Sequence, residues 1–310
     1  MLARPRLFIR AFARAAFLLF VAASVSAPSY GEETAQRDIS RIVSVGGDVT
    51  EILYELGVGD NVVAIDTTSV FPPHIPAEKK SVGYMRALAS EGVLAVGPTL
   101  ILATDKAGPP EVIAALKASS TPFITVDADD TPEGVADKVA KVASIVGKDT
   151  AGQALAARIR SDFEAAAEAR KKISKPVKAL FLLSVQSGRA MAGGRNTAAD
   201  AMLALAGAEN VATSFDGYKP LSGEAALALA PDAIIVMKAA PGHRVTEASG
   251  PLATEVSAIA GLADTPAVKN GRIIEFDGSL MLQFGPRAPQ AAHELMHILY
   301  PDIVPARRIN

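Results

Sequence analysis

The sequence predicts an α/β protein of two lobes with parallel sheets, joined by one long helix, with a ligand cleft between the lobes. Three observations support this prediction. Short apolar runs alternate with helical patterns along both halves of the chain, which is typical of parallel strands covered by helices on both faces. One helical pattern of unusual length separates the halves, and a similar block of sequence occurs once in each half.

The first lobe is predicted to cover residues 40–148. Helical patterns alternate with its strands, and the clearest begins where Thr131 precedes Pro132, because Thr is a good N-cap and Pro suits the first helical position. The predicted strands are the apolar runs 41–45, 61–65, 100–102 and 123–126, and the predicted helices are 51–56, 88–96, one from Pro109 and one from Pro132.

The longest helical pattern covers residues 149–174. Apolar residues recur every four positions at Leu155, Ile159, Phe163 and Ala167, with charged residues between them, and this spacing indicates one apolar helix face. At ~1.5 Å per residue, such a helix is roughly 35 Å long. We interpret it as a rigid connection between two lobes, and the alternative is an ordinary packing helix of one continuous domain.

The second lobe is predicted to cover residues 177–310. Its segment 222–234 resembles segment 89–101 of the first lobe: each holds a glutamate (Glu91, Glu224), a short apolar helix and an apolar strand. Two such units form Rossmann-like lobes, in which ligands bind beyond the carboxyl ends of the strands. The predicted strands are 177–184, 233–237 and 272–276, and the predicted helices are 197–205 and 286–299.

Composition excludes several classes of function. The chain has no cysteine, which excludes disulfides and thiol catalysis. A net charge of −2 without a basic stripe argues against nucleic-acid binding. His293 and His297 have a metal-capable spacing, but no third ligand is near in sequence. We expect a packing or surface role for them and no enzyme activity, and an exported metal-dependent hydrolase is the enzyme alternative.

Residues 1–31 have the pattern of a secretory signal peptide. Four arginines precede an acid-free apolar run, residues 15–23, and small residues follow, in the order of a signal sequence. The run is shorter than the ~20 residues of a spanning helix, and a membrane-anchoring helix is the alternative. Cleavage after Gly31 is favoured over cleavage after Ala27, because the latter leaves Pro28 first. We therefore expect a periplasmic protein.

Tyr84 is the strongest candidate for ligand chemistry. It follows a glycine on a predicted cleft loop, and Arg86 lies two residues later. A nearby cation favours the phenolate over the phenol, and a phenolate is a donor suited to ferric iron. Other predicted cleft loops supply arginines that can pair with ligand carboxylates and side chains for an apolar slot. These are Arg195, Arg244 and Arg287 for carboxylates, and Met85, Tyr218, Met281 and Phe284 for the slot.

Residues 81–92, Ser-Val-Gly-Tyr-Met-Arg-Ala-Leu-Ala-Ser-Glu-Gly, resemble the signature of the periplasmic haem-binding proteins of bacterial haem ABC importers. Residues 46–52, 192–200 and 284–287 resemble other blocks of the same family, so the resemblance extends over residues 40–300. These other blocks are also typical of the wider class III periplasmic binding protein superfamily, which includes carriers of corrinoids and ferric siderophores.

The resemblance implies a carrier that captures ferric haem in the cleft and delivers it to an ABC permease dimer in the inner membrane. Tyr84 matches the axial ligand of the haem iron, and Arg86 is placed to support it. Glu91 and Glu224 match the glutamates that dock onto the permease, and an outer-membrane haem receptor is the expected upstream donor. A corrinoid or ferric-siderophore carrier is the alternative. Residues 184–197 contain no histidine, which argues against a second iron ligand and a two-haem complex.

Overall fold

The structure, a computed structural model, describes residues 37–238, 246–247 and 251–306. The predicted signal peptide, His243 and Arg244 lie outside the described residues. Within the described part, no helix combines the length and the apolar character that crossing a membrane requires.

The first half forms one sheet of five parallel strands in the order β3-β2-β1-β4-β5. Every residue of β1 and β4 is buried, as expected for strands that are covered on both faces. The chain reverses direction across the sheet between β1 and β4, which places a crevice at their carboxyl ends. The strands are β1 (Ile42–Val45), β2 (Val62–Ile65), β3 (Lys80–Ser81), β4 (Leu100–Thr104) and β5 (Phe123–Val126).

The helices of the first half follow the strands as predicted. Thr131 caps α5 by accepting a hydrogen bond from the Gly134 backbone N–H at 3.0 Å. The helices are α1 (Gly47–Glu55), α2 (Ile75–Glu78), α3 (Ser90–Leu94), α4 (Pro110–Lys117) and α5 (Pro132–Ile145), and a short 3₁₀ turn covers Gly59–Asn61.

The long helix α6 (Asp149–Arg170) confirms the helical pattern between the halves. Its 22 residues make it ~33 Å long. It buries Leu155, Ile159 and Phe163 as predicted, and its last buried residue is Ala166 instead of Ala167. It packs along α5 and also contacts the last helix of the chain.

The second half forms a mixed sheet, in which antiparallel strands are added to the parallel strands that the sequence predicts. Strands β6, β10 and β12 are parallel, but β7, β9 and β11 run antiparallel to their neighbours. The reason is a tight turn after β6, where Ser187 and Gly188 both have positive φ and return the chain as a hairpin. The strands are β6 (Lys178–Gln186), β7 (Arg189–Gly193), β8 (Glu209–Asn210), β9 (Tyr218–Leu221), β10 (Ala233–Lys238), β11 (Thr246–Glu247) and β12 (Ile273–Asp277).

The helices of the second half are α7 (Ala198–Leu205), α8 (Gly223–Leu229), α9 (Pro251–Ser257), α10 (Pro266–Lys269), α11 (Gly278–Leu282) and α12 (Ala288–Leu299). The last helix, α12, packs against α6 and α7. One continuous apolar core joins both halves, because it contains Ile52 of α1, Phe163 of α6, Phe181 of β6 and Leu295 of α12. The two halves therefore share a core in addition to their connecting helix.

Candidate ligand-binding site

The predicted binding loops of the first half lie along one edge of the sheet. All five strands are parallel, so the segments that follow them leave from the same edge. These segments contain Gly46–Gly47 after β1, residues 66–69 after β2, residues 82–86 after β3, residues 105–108 after β4 and residues 127–130 after β5. This is the edge at which open parallel sheets bind ligands.

Tyr84 is exposed on a loop whose backbone is fixed. The Gly83 carbonyl accepts a hydrogen bond from the Thr67 N–H at 2.9 Å, and the Met85 carbonyl accepts one from the Gly108 N–H at 2.8 Å. Gly83 has a φ of 91°, which favours glycine at this position. Tyr84 is 46% exposed, so a held backbone presents its phenol to solvent.

The loop of residues 66–69, which is not among the predicted binding loops, supports the Tyr84 loop. Asp66 is 1% exposed, and its carboxylate accepts hydrogen bonds from the Gly46 N–H at 2.9 Å, the Thr68 hydroxyl at 2.6 Å and the Ser69 hydroxyl at 2.7 Å. The Thr68 hydroxyl also lies 3.6 Å from the Met85 sulfur. The sequence signal for this loop is an Asp followed by Thr-Thr-Ser directly after an apolar strand. It indicates a turn, because an Asp side chain often accepts a hydrogen bond from the backbone N–H two residues later.

Tyr218 of the second half lies close to charged residues of the first half. Burial raises the pKa of its phenol, the Thr197 hydroxyl and the Ala199 backbone lower that pKa, and among charges Arg86 lowers it while Asp130 raises it. Asp130 in turn accepts both hydrogen bonds of Lys106, at 2.8 and 3.0 Å. Arg86 and Asp130 of the first half are thus near enough to Tyr218 of the second half to influence its phenol electrostatically.

Two predicted slot residues lie in the core instead. Met281 is 0% exposed and Phe284 is 1% exposed, and both pack in the shared apolar core. The expectation that they line a ligand slot is therefore corrected. Met281 lies on α11. After Phe284, the Gly-Pro-Arg sequence leads to Arg287, whose backbone N–H contacts Glu51 of the first half.

Arg287, which the sequence predicts to pair with a ligand carboxylate, pairs with Glu51 of the first half in this structure. Its Nε lies 2.9 Å from Glu51 Oε2, its backbone N–H donates to Glu51 Oε1 at 3.0 Å, and its guanidinium stacks 3.7 Å from the centre of the Phe71 ring. Arg195 is exposed and pairs with Asp216, Nε to Oδ1 at 3.1 Å. Both arginines are thus already paired with carboxylates of the protein.

A buried ion pair of the first half also reaches the second half at Phe284. Lys138 of α5 lies 2.5 Å from Asp48 of α1, with side-chain exposures of 4% and 7%, and it also donates to the Phe284 carbonyl at 3.3 Å. No local sequence pattern indicates this pair, because Lys138 lies in an otherwise regular amphipathic helix.

Glu91 and Glu224 occupy the first turns of α3 and α8. Both are exposed, and neither forms an ion pair with another described residue. Leu227, one turn after Glu224, is also exposed. The two carboxylates are therefore available to a partner.

Neither of two other features adds to this site. His297 bonds through Nδ1 to the Val304 carbonyl at 2.7 Å, and the described residues contain no cluster of three metal-binding side chains. A depression of about 420 Å³ is lined by residues 37–38, 98–100 and 120–122. It lies at the amino ends of the strands, on the sheet edge opposite to Tyr84.

Solved structures of similar fold include periplasmic haem-binding proteins. The periplasmic haem-binding protein RhuT from Roseiflexus sp. RS-1 is 34% identical, with a TM-score of 0.78, over 84% of this chain and 98% of that chain. The periplasmic haem-binding protein BhuT in complex with two haems is also 34% identical, with a TM-score of 0.76, over 84% of this chain and 98% of that one.

Curated relatives are more distant. The uncharacterized ABC transporter substrate-binding lipoprotein YvrC of Bacillus subtilis is 28% identical over 87% of this chain and 82% of its own length. The vitamin B12-binding protein of Vibrio campbellii is 29% identical over 41% of this chain and 46% of its own length. The family model described as periplasmic binding protein matches residues 42–280. The chain therefore belongs to the periplasmic binding protein family.

Proposed function

We propose that this protein captures ferric haem between its two halves and delivers it to an ABC permease. The observation that carries the proposal is Tyr84, which presents an exposed phenol on a loop with a held backbone, with Arg86 two residues later. The likeness to RhuT and BhuT, both described as haem-binding, supports haem as the ligand.

In this proposal Tyr84 ligates the haem iron as a phenolate, and Arg86 supports the ligand. A cation near a phenol favours the charged form, and tyrosinate is an established axial ligand of ferric haem in proteins. Haem is flat and apolar and has two carboxylates. Met85 and Tyr218 supply apolar contacts on opposite sides of the haem. Arg195 binds a haem carboxylate in place of its exposed partner Asp216.

Delivery uses the two exposed glutamates. Glu91 and Glu224 lie one in each half, at the starts of similar helices, and carboxylates in this position can bind arginines of a permease. The signal peptide of residues 1–31 directs the chain to the periplasm, where an outer-membrane haem receptor is the upstream donor. Amino-terminal sequencing of the exported protein should begin at Glu32, and an intact leader would contradict this localisation.

The ligand assignment is tested by titrating ferric haem into the purified protein. We expect the absorption spectrum of a tyrosinate-ligated ferric haem, and Tyr84→Phe should remove that spectrum and weaken binding at least tenfold, because the iron loses its protein ligand. Tyr54→Phe is the matched control, since the Tyr54 hydroxyl has no hydrogen-bond partner among the described residues. An unchanged spectrum in Tyr84→Phe would overturn the assignment.

A corrinoid is the second candidate ligand, because curated relatives include vitamin B12-binding proteins. In that case Tyr84 contacts the ligand only by packing. Cobalamin would then bind more tightly than haem and displace it, and Tyr84→Phe would keep most of the affinity. Competition between haem and cyanocobalamin on one sample separates the two candidates.

A further inference from the structure

Gln283 connects the end of α11 to the first half of the chain. Its side-chain Nε2 donates a hydrogen bond of 2.8 Å to the Thr68 carbonyl, across 215 positions of sequence. The acceptor belongs to the loop of residues 66–69, whose Thr67 N–H holds the Gly83 carbonyl and whose Thr68 hydroxyl contacts Met85. Gly83 and Met85 are the two neighbours of Tyr84.

The chain leaves room for this hydrogen bond at Gly47. A Cβ at this position would lie 2.3 Å from Gln283 Oε1 and 2.5 Å from the Thr68 carbonyl oxygen. Gly47 begins α1 with an ordinary φ, so its backbone does not require glycine. The close approach of Gln283 and Thr68 is the reason for a glycine here.

We infer that Gln283 is a positioning residue for Tyr84. It acts through the loop of residues 66–69, which Asp66 fixes from the sheet side and Gln283 fixes from the second half. The position of the Tyr84 loop therefore depends on how the segment after α11 packs against the loop of residues 66–69. The effect on ligand binding rests on the proposed function, whereas the effect on the loop does not.

The loop is tested first without ligand. Gln283→Met keeps the length of the side chain and removes the donor, so the amide hydrogens of Thr67 and Ala87 should exchange faster by about threefold to tenfold, which corresponds to one net hydrogen bond. The matched control is Gln290→Met, because the Gln290 side chain donates to Glu294 of the same helix, α12, at 2.7 Å. Exchange in Gln283→Met equal to that in Gln290→Met would overturn the inference.

Gly47→Ala is the second variant, and its methyl group would lie against both Gln283 and the Thr68 carbonyl, so it separates the two partners without altering Gln283. Alanine is favourable inside a helix, so faster exchange of the same amides has a steric cause. Protection at the wild-type level in Gly47→Ala would also contradict the inference, and this variant serves if Gln283→Met fails to fold.

Ligand binding is tested next, by the transfer of ferric haem to excess apomyoglobin. Gln283→Met and Gly47→Ala should release haem about threefold to tenfold faster and shift the charge-transfer band, whereas Gln290→Met should match the wild type. If Tyr84→Phe keeps the wild-type spectrum, the proposed function fails, and the exchange result still decides the positioning role. If Tyr84→Phe loses the spectrum and Gln283→Met releases haem at the wild-type rate, the effect of positioning on binding is refuted.

Discussion

Arg287 and Glu51 form an ion pair, although they are 236 positions apart in the chain. The Glu51 carboxylate of this pair is almost fully buried. The carboxylate accepts from both the side chain and the backbone of Arg287, and the guanidinium covers the Phe71 ring. Together with Lys138–Phe284 and Gln283–Thr68, this pair attaches the segment 283–287 to the first half. That segment lies in the second half of the sequence, but it forms these hydrogen bonds with residues of the first half.

Removing Arg287 should destabilise the protein strongly. Arg287→Met leaves the Glu51 carboxylate buried and unpaired, so we expect the free energy of unfolding to fall by about 3 kcal/mol, measured by urea denaturation. Arg158→Met is the control, because Arg158 and Glu55 form an exposed pair at 3.0 Å, worth less than about 1 kcal/mol. Equal losses in the two variants would show that the Arg287–Glu51 pair adds nothing to stability.

Lys138→Met should have a similar effect through Asp48. The substitution keeps most of the apolar stem and leaves a buried carboxylate without its cation, which we expect to lower the free energy of unfolding by about 3 kcal/mol. Adding Asp48→Asn should restore part of this loss, because the unpaired charge is then absent. Lys171→Met, which removes an exposed pair with Glu168, is the matched control, and a double variant less stable than Lys138→Met contradicts the explanation.

Tyr218 should make stability depend on pH in the alkaline range. Burial raises the pKa of its phenol in the folded protein, so its contribution is fully present below the unfolded pKa of about 10. That contribution is lost as the pH rises through the higher folded pKa, because only the unfolded state ionises freely. The difference in unfolding free energy between wild type and Tyr218→Phe should be constant from about pH 7 to 9 and then shift in favour of Phe. A constant difference up to about pH 11 would contradict the burial of this phenol.

Charge reversal at the two exposed glutamates should abolish delivery and spare capture. Glu91→Lys and Glu224→Lys each remove a carboxylate that the proposal assigns to permease docking, so haem uptake by cells that depend on this protein should fall at least tenfold in the double variant. The affinity for ferric haem should stay within twofold of the wild type. Glu164→Lys, at an exposed position of α6, is the control, and normal uptake by the double variant would refute the docking role.

Local patterns predicted the regular elements well. The Thr131-Pro132 start of α5 and the apolar spacing of α6 are properties of neighbouring residues, and both appear in the structure. The hairpin after β6 was missed because Ser187-Gly188 lies inside a stretch read as strand and loop. The parallel arrangement deduced from the first half was then extended to a sheet that contains antiparallel strands.

Contacts between distant residues account for the errors at the candidate site. An arginine after Gly-Pro indicates a loop, but no local pattern shows that Glu51 lies within reach of Arg287. Met281 and Phe284 are apolar residues near a predicted cleft, and whether such residues line a slot or fill a core depends on the packing of α11 and α12. Gln283 and Asp66 were missed for the same reason, since their partners are set by tertiary structure.

The hydrogen bond from Gln283 to Thr68 also bears on the order of folding. The Tyr84 loop is synthesised well before the side chain that braces it, because Gln283 lies 215 positions after Thr68. Contacts of such large sequence separation form slowly, because a long loop must close before they stabilise anything. We therefore expect the Tyr84 loop to mature only after Gln283 has been synthesised, so that, under the proposed function, a nascent chain that stops before Gln283 holds haem more weakly than the full chain.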